Sequence, residues 1–114
     1  MSEDEERLKD MLKAAKLIEE FTHEIDFDEF EDSEMVKAAV EREVEIIGEA
    51  AKNVSEDVRI QYPEMDWEGI AGMRDIVAHA YRKVRKEELW NTVEDDVPPL
   101  IERLEHILEE LKSK

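Results

Sequence analysis

The 114-residue chain has no cysteine and only three glycines and three prolines. Without cysteine there are no disulfides and no thiolate metal sites, a pattern that fits a reducing compartment. With so little Gly and Pro there are few places where a helix must break. No apolar run approaches the roughly 20 residues that a membrane span requires, so no membrane association is expected. The acidic opening "MSEDEERLKDML" is neither a secretory signal nor a transit peptide, and the expected location is cytoplasmic. Positive charge is also scarce: 16 Lys and Arg stand against 33 Asp and Glu, a net charge of −17. Such a surface repels a phosphate backbone over most of its area, which excludes non-specific nucleic-acid binding.

What the chain does have is helical rhythm. Charged residues make up 43% and hydrophobic residues 41%, and the apolar ones recur in steps of three and four, as in a folded helical protein rather than a disordered one. Leu8, Leu12, Ala15, Ile18 and Phe21 predict a first helix over about Glu3 to His23. The stretch "EIDFDEFEDS" breaks the period and reads as a connection pinned by Phe27 and Phe30. Ser33 suits an N-cap for a second long helix striped by Val36, Val40, Val44, Ile47, Ala51 and Val54. Ser55 opens a short helix or turn that Pro63 stops. Asp66 then caps a third helix through Trp67, Ile70 and Val77 to about Tyr81. Leu89, Val93 and Val97 lead into Pro98-Pro99, and Ile101, Leu104, Leu108 and Leu111 carry on the stripe. The two prolines should kink or split this last helix, because they remove backbone donors. No strand pattern or internal repeat is visible. The expected fold is all-α, a bundle of four main helices plus a short helix in one domain spanning residues 1–114.

One segment departs from helix filling. In "GMRDIVAHAY", Gly72 to Tyr81, an Arg, a His and a Tyr fall within eight residues. The same region is locally basic: from Ala71 to Trp90, Arg74, Arg82, Lys83, Arg85 and Lys86 outnumber Asp75, Glu87 and Glu88. On a helix, Asp75 and His79 are four apart and share a face, whereas Arg74 and His79 diverge and could form two walls of a groove. A neutral-range imidazole can accept or return a proton at pH 7, and a guanidinium can grip a crowded phosphorane through paired hydrogen bonds. The bland alternative is a satisfied His, an Arg paired with one of the many Glu, and a solvated charged loop. An Arg followed five positions later by a His arises by chance about once in six such chains, so only the added Tyr makes the pattern specific. His23, His79 and His106 fall on different predicted helices without ligand spacing among them. No metal or cofactor is expected, and His23 and His106 read as surface residues.

At these residues the chain resembles the HepT-like ribonuclease toxins of the HEPN superfamily. "RDIVAHAY" matches their signature of Arg, four residues, His, one residue and Tyr. The stretch "EREVEIIGEAAKNVSEDVRIQYPEMDWEGIAGMRDIVAHAY", including "EIIGEA", is similar to the family's central region, and "LWNTVEDDVPPLIERLEHIL" to its closing helix. Many relatives have Asn after the Arg and Gly after the His, where this chain has Asp75 and Ala80. The resemblance implies metal-independent RNA cleavage by the 2′-hydroxyl, with Arg74 and His79 catalytic and Asp75 supporting the imidazole. Arg82, Lys83, Arg85 and Lys86 are the RNA-binding candidates. It further implies a twofold homodimer, to which Ile70, Met73 and Val77 could lend an apolar face. The partner it implies is an MntA-like minimal nucleotidyltransferase antitoxin that adenylylates Tyr81 in a type VII-like toxin-antitoxin system. The alternatives are a non-catalytic helical partner of a nucleotidyltransferase and a plain helical bundle.

Overall fold

The computed structural model describes the backbone of residues 2–78 and 83–113. All of its described regular structure is helical: α1 (Ser2–Thr22), α2 (Phe27–Asp32), α3 (Glu34–Lys52), α4 (Glu56–Gln61), α5 (Trp67–Ala71), α6 (Arg74–Ala78), α7 (Lys83–Asn91), a π-helical turn (Thr92–Asp96) and α8 (Val97–Lys112). The expected all-α fold is therefore present. The predicted stripes meet along the long axis of the bundle, where α1 packs on both α3 and α8. Leu8, Met11, Ala15, Ile18, Val40, Val44, Ile47, Leu104 and Ile107 are completely buried there.

Side-chain caps set four of the described helix starts, those of α2 to α5. Ser33, Ser55 and Asp66 each accept a hydrogen bond from a backbone amide of the first turn that follows them, as their sequence positions predict. The segment expected to be a connection holds an extra helix. Asp26 and Glu29 form a reciprocal capping box at the start of α2, and the helix swings Phe30 fully into the core. Arg59 reaches back from α4 and donates to the carbonyls of Ala51, Lys52 and Val54, which terminates α3.

The third helix is not continuous. α5 stops at Gly72, and the chain rolls into α6 through i→i−3 bonds from Met73 to Ile70, Asp75 to Gly72 and Ile76 to Met73, the last two in the first turn of α6. Gly72 is a weak helix former, and the tighter winding lets Met73 turn into the core together with Ile70. These two side chains are thus spent within the chain and do not offer the apolar dimer face expected of them. The kink or split expected at Pro98-Pro99 does not occur there: the helix runs on from α7 through the π-helical turn at Thr92–Asp96 into α8. The prolines are the second and third residues of α8, and the Val97 amide bonds back five residues to the Thr92 carbonyl.

The N-terminal turn is locked to the middle of the chain by Asp4, which is buried. Its carboxylate accepts from the Ser55 amide at 2.9 Å and the Ser55 hydroxyl at 2.7 Å. Burial pushes the Asp4 carboxyl up, but the two Ser55 hydrogen bonds and the nearby Arg7 outweigh it and hold it below the ordinary 3.8. A depressed carboxyl stabilises the fold above its unfolded-state value, and the contribution is lost as pH falls through the folded value. Asp4→Ala should therefore cost about 1–3 kcal/mol at pH 7. The deficit should shrink as the pH is lowered below about 4. Denaturant titrations of both proteins at pH 7 and pH 3 test this, and an undiminished gap at pH 3 contradicts it.

Candidate functional site

Arg74 is the first residue of α6, so its position depends on the turn that ends α5. Its side chain leans across α3. A Cβ built on Gly48 would collide with Cγ of Arg74 and would lie 3.0 Å from Cδ and 3.1 Å from the Ala71 carbonyl oxygen. Only a glycine at 48 leaves room for the Arg74 stem to lie there. The guanidinium then reaches the next residue of α3, and Arg74 Nη1 stands 3.3 Å from Glu49 Oε1. The two side chains are 39% and 54% exposed. An ion pair this open to water contributes about 0–1 kcal/mol, whereas glycine in a helix interior costs about 1 kcal/mol relative to alanine. Stability alone does not account for the arrangement.

The sequence pointed to Arg74 but not to Gly48 or Glu49 as its neighbours. A signal was present: Gly48 is an isolated glycine inside an otherwise strong helical stripe, which usually marks a close packing contact. Asp75 follows Arg74 on α6 and is exposed. His79, Tyr81 and Arg82 lie outside the described residues, as does the side chain of Lys83. Of the remaining basic candidates, Arg85 is held by Glu88, with Nη1 3.0 and 3.2 Å from its two carboxylate oxygens. Lys86 is half-buried. It lies near Glu41 of α3, whose carboxyl is raised by burial and by Glu34 and lowered by Lys37 and Lys86. Part of the basic segment is thus neutralised within the chain. His23 and His106 are surface residues, 75% and 65% exposed, beside Glu24 and Glu110.

Two concavities lie against the elements around Arg74, α3 and the α5–α6 turn. One, of about 460 Å³, runs between α1 and α3 and includes Arg7, Arg42, Glu45 and Glu49, so it opens onto the carboxylate that holds Arg74. The other, of about 330 Å³, lies between the α5–α6 turn and the start of α8, with Ile70, Met73 and Leu100 among its apolar walls and Asp66, Asp95 and Asp96 on its rim. There burial and the neighbouring Asp95 push the Asp96 carboxyl up, against a hydrogen bond with Thr92. Neither cleft includes Arg74 in its walls, and both carry acids that repel phosphate: Asp10, Glu45 and Glu49 in the first, Asp66, Asp95 and Asp96 in the second.

Comparison with known proteins agrees with the family resemblance. The family described as Ribonuclease HepT-like matches residues 11–107. A probable ribonuclease HepT of Thermococcus cleftensis is 44% identical over 100 residues, covering 88% of this chain and 91% of the relative. Two candidate RNases of Methanocaldococcus jannaschii are 37% and 38% identical, covering 94% and 86% of this chain and 88% and 90% of the relatives. No solved structure matches the chain.

Proposed function

The chain belongs to the HepT-like ribonuclease family, and we propose that it is a metal-independent endoribonuclease toxin of the HEPN type, acting in the cytoplasm. The observation that carries this reading is Arg74. Its stem is seated on Gly48 and its guanidinium is part-exposed, five positions before His79 and seven before Tyr81. A planar cation held in this way suits the two-pronged recognition of a phosphate. In the proposed reaction the 2′-oxygen of one ribose attacks the adjacent phosphorus and the bond to the 5′-oxygen breaks. An imidazole takes the 2′-hydroxyl proton, and a second group protonates the departing 5′-oxygen. The products are a 2′,3′-cyclic phosphate and a 5′-hydroxyl.

Because each chain supplies one motif histidine, the proposed active species is a twofold homodimer that brings two copies of His79 and Arg74 to one RNA phosphate. With Ile70 and Met73 buried, the contact near α6 must draw on the half-buried Ile76 and Val77. Light scattering should show a dimer at assay concentrations; a fully active monomer rejects the shared site. The reaction itself is tested by incubating purified protein with RNA in excess EDTA. Cleavage should persist and leave cyclic phosphate ends, and loss of cutting that returns on adding a divalent metal would overturn the mechanism. A protein with no nuclease activity would instead be a non-catalytic helical partner of a nucleotidyltransferase.

The proposed regulation is adenylylation of Tyr81 by an MntA-like minimal nucleotidyltransferase antitoxin, in a type VII-like toxin-antitoxin system. With an ordinary pKa near 10, a tyrosine is a poor base at neutral pH. An added phosphodiester there would bring negative charge and bulk toward the cation that receives RNA. Co-expression with the cognate transferase should add adenylate mass to Tyr81. Tyr81→Phe should stay nuclease-active and escape silencing; if it is silenced as fully as the wild type, the partner acts by binding alone.

A further inference from the structure

We propose that Glu49 is a positioning residue for Arg74, holding the guanidinium in the orientation that receives a phosphate, with Gly48 as the seat that makes this possible. The inference rests on the proposed function, in which Arg74 contacts RNA phosphate. Three observations carry it. Two consecutive residues of α3 act on one side chain of α6: the missing Cβ of Gly48 admits the Arg74 stem, and Glu49 meets Nη1 at its tip. The contact joins Glu49 Oε1 to Arg74 Nη1 at 3.3 Å. A carboxylate at the tip of the side chain can restrict its rotation and so set the orientation of the guanidinium. Finally, the pair is too exposed to be explained by stability, and a carboxylate beside a phosphate site weakens RNA binding through repulsion. An anion in that place makes sense if orienting Arg74 speeds the chemical step by more than the repulsion costs in binding.

Orientation and charge can be separated by substitution. Glu49→Gln keeps an oxygen that can accept from Nη1 and removes the charge; Glu49→Ala removes both. A tether that orients Arg74 for the transition state acts on kcat, because misplacing a catalytic group lowers the rate without abolishing binding. Repulsion acts on KM and on equilibrium binding.

The experiment measures kcat and KM on a mixed-sequence oligoribonucleotide carrying a fluorophore and a quencher, and binding of its uncleavable 2′-O-methyl form by anisotropy. The proteins are wild type, Glu49→Gln, Glu49→Ala, Arg74→Ala and the Arg74→Ala/Glu49→Ala double variant, with thermal unfolding of each as a check on folding. Glu49→Ala should lose about 10-fold in kcat while its KM stays level or falls. Glu49→Gln should keep kcat within about 3-fold and bind the uncleavable RNA more tightly, most clearly at low salt. In the Arg74→Ala background, Glu49→Ala should lower kcat no further, because the residue it positions is gone. If Glu49→Ala matches wild type in kcat, or lowers it equally with and without Arg74, the positioning role is overturned while the nuclease reading stands. A wild-type protein that neither cleaves nor binds the RNA overturns both.

Discussion

Replacing either Arg74 or His79 with alanine is expected to slow RNA cleavage by about 10²-fold or more while leaving the helix content of the protein unchanged. The two losses have different origins. His79 is the motif residue able to move a proton near pH 7, and general acid-base catalysis alone is worth about 10²- to 10⁴-fold. In the proposed reaction Arg74 would supply charge to the phosphorane, where a preorganised cation stabilises the transition state more than the ground state. Lysine at 74 should rescue little, because an ammonium lacks the planar fork. The fold should survive the Arg74 change, since the only described ion pair of that residue is the exposed one with Glu49. Single-turnover cleavage in EDTA, alongside far-UV circular dichroism and thermal unfolding, measures both effects. If both variants cut RNA at the wild-type rate, the activity belongs to a contaminant and the motif is not the site.

The parts of this fold that could be read in the sequence are those set by neighbours along the chain. The stripes of α1, α3 and α8 follow from residues three and four apart, and Ser33, Ser55 and Asp66 cap within three residues of themselves. The parts that could not be read depend on distant residues. Helix α2 has no apolar stripe of its own, and its direction comes from Phe30 seeking the ring of Trp90, 60 residues later. The break between α5 and α6 could have been suspected from Gly72, but its effect follows from Met73 entering a core that only the folded chain possesses. The candidate site divides in the same way. Arg74, Asp75, His79 and Tyr81 form a local pattern in the sequence, whereas the seat and tether of Arg74 come from Gly48 and Glu49, more than 20 residues upstream. Charge counting likewise identified a basic segment but could not show that Arg85 folds onto Glu88.

Phe30→Ala should be the most damaging core substitution near this site, lowering stability by about 3–5 kcal/mol. Phe30 is completely buried and is among the largest such side chains in the protein. Its ring centroid lies 5.1 Å from that of Trp90, tilted by 39°, while Phe27 approaches the same indole from 6.4 Å at 58°. Tilted aromatic contacts of this kind add about 0.5–1.5 kcal/mol beyond the burial of area. The cluster joins α2 to α7, the helix that carries Arg85 and Lys86, so its loss weakens the support of the basic segment as well as the core. The cavity would not close easily, because Val40, Val44 and Leu89 are also fully buried in the same core. At roughly 4 °C or more per kcal/mol for a domain of this size, the melting temperature should fall by more than about 10 °C. Phe27→Ala should cost much less, about 1 kcal/mol, since Phe27 is only half-buried and leaves Phe30 against the indole. Calorimetry of both variants tests the ranking: a Phe30→Ala protein melting within about 2 °C of wild type would mean that α2 is a loosely attached connection, as its sequence alone suggests.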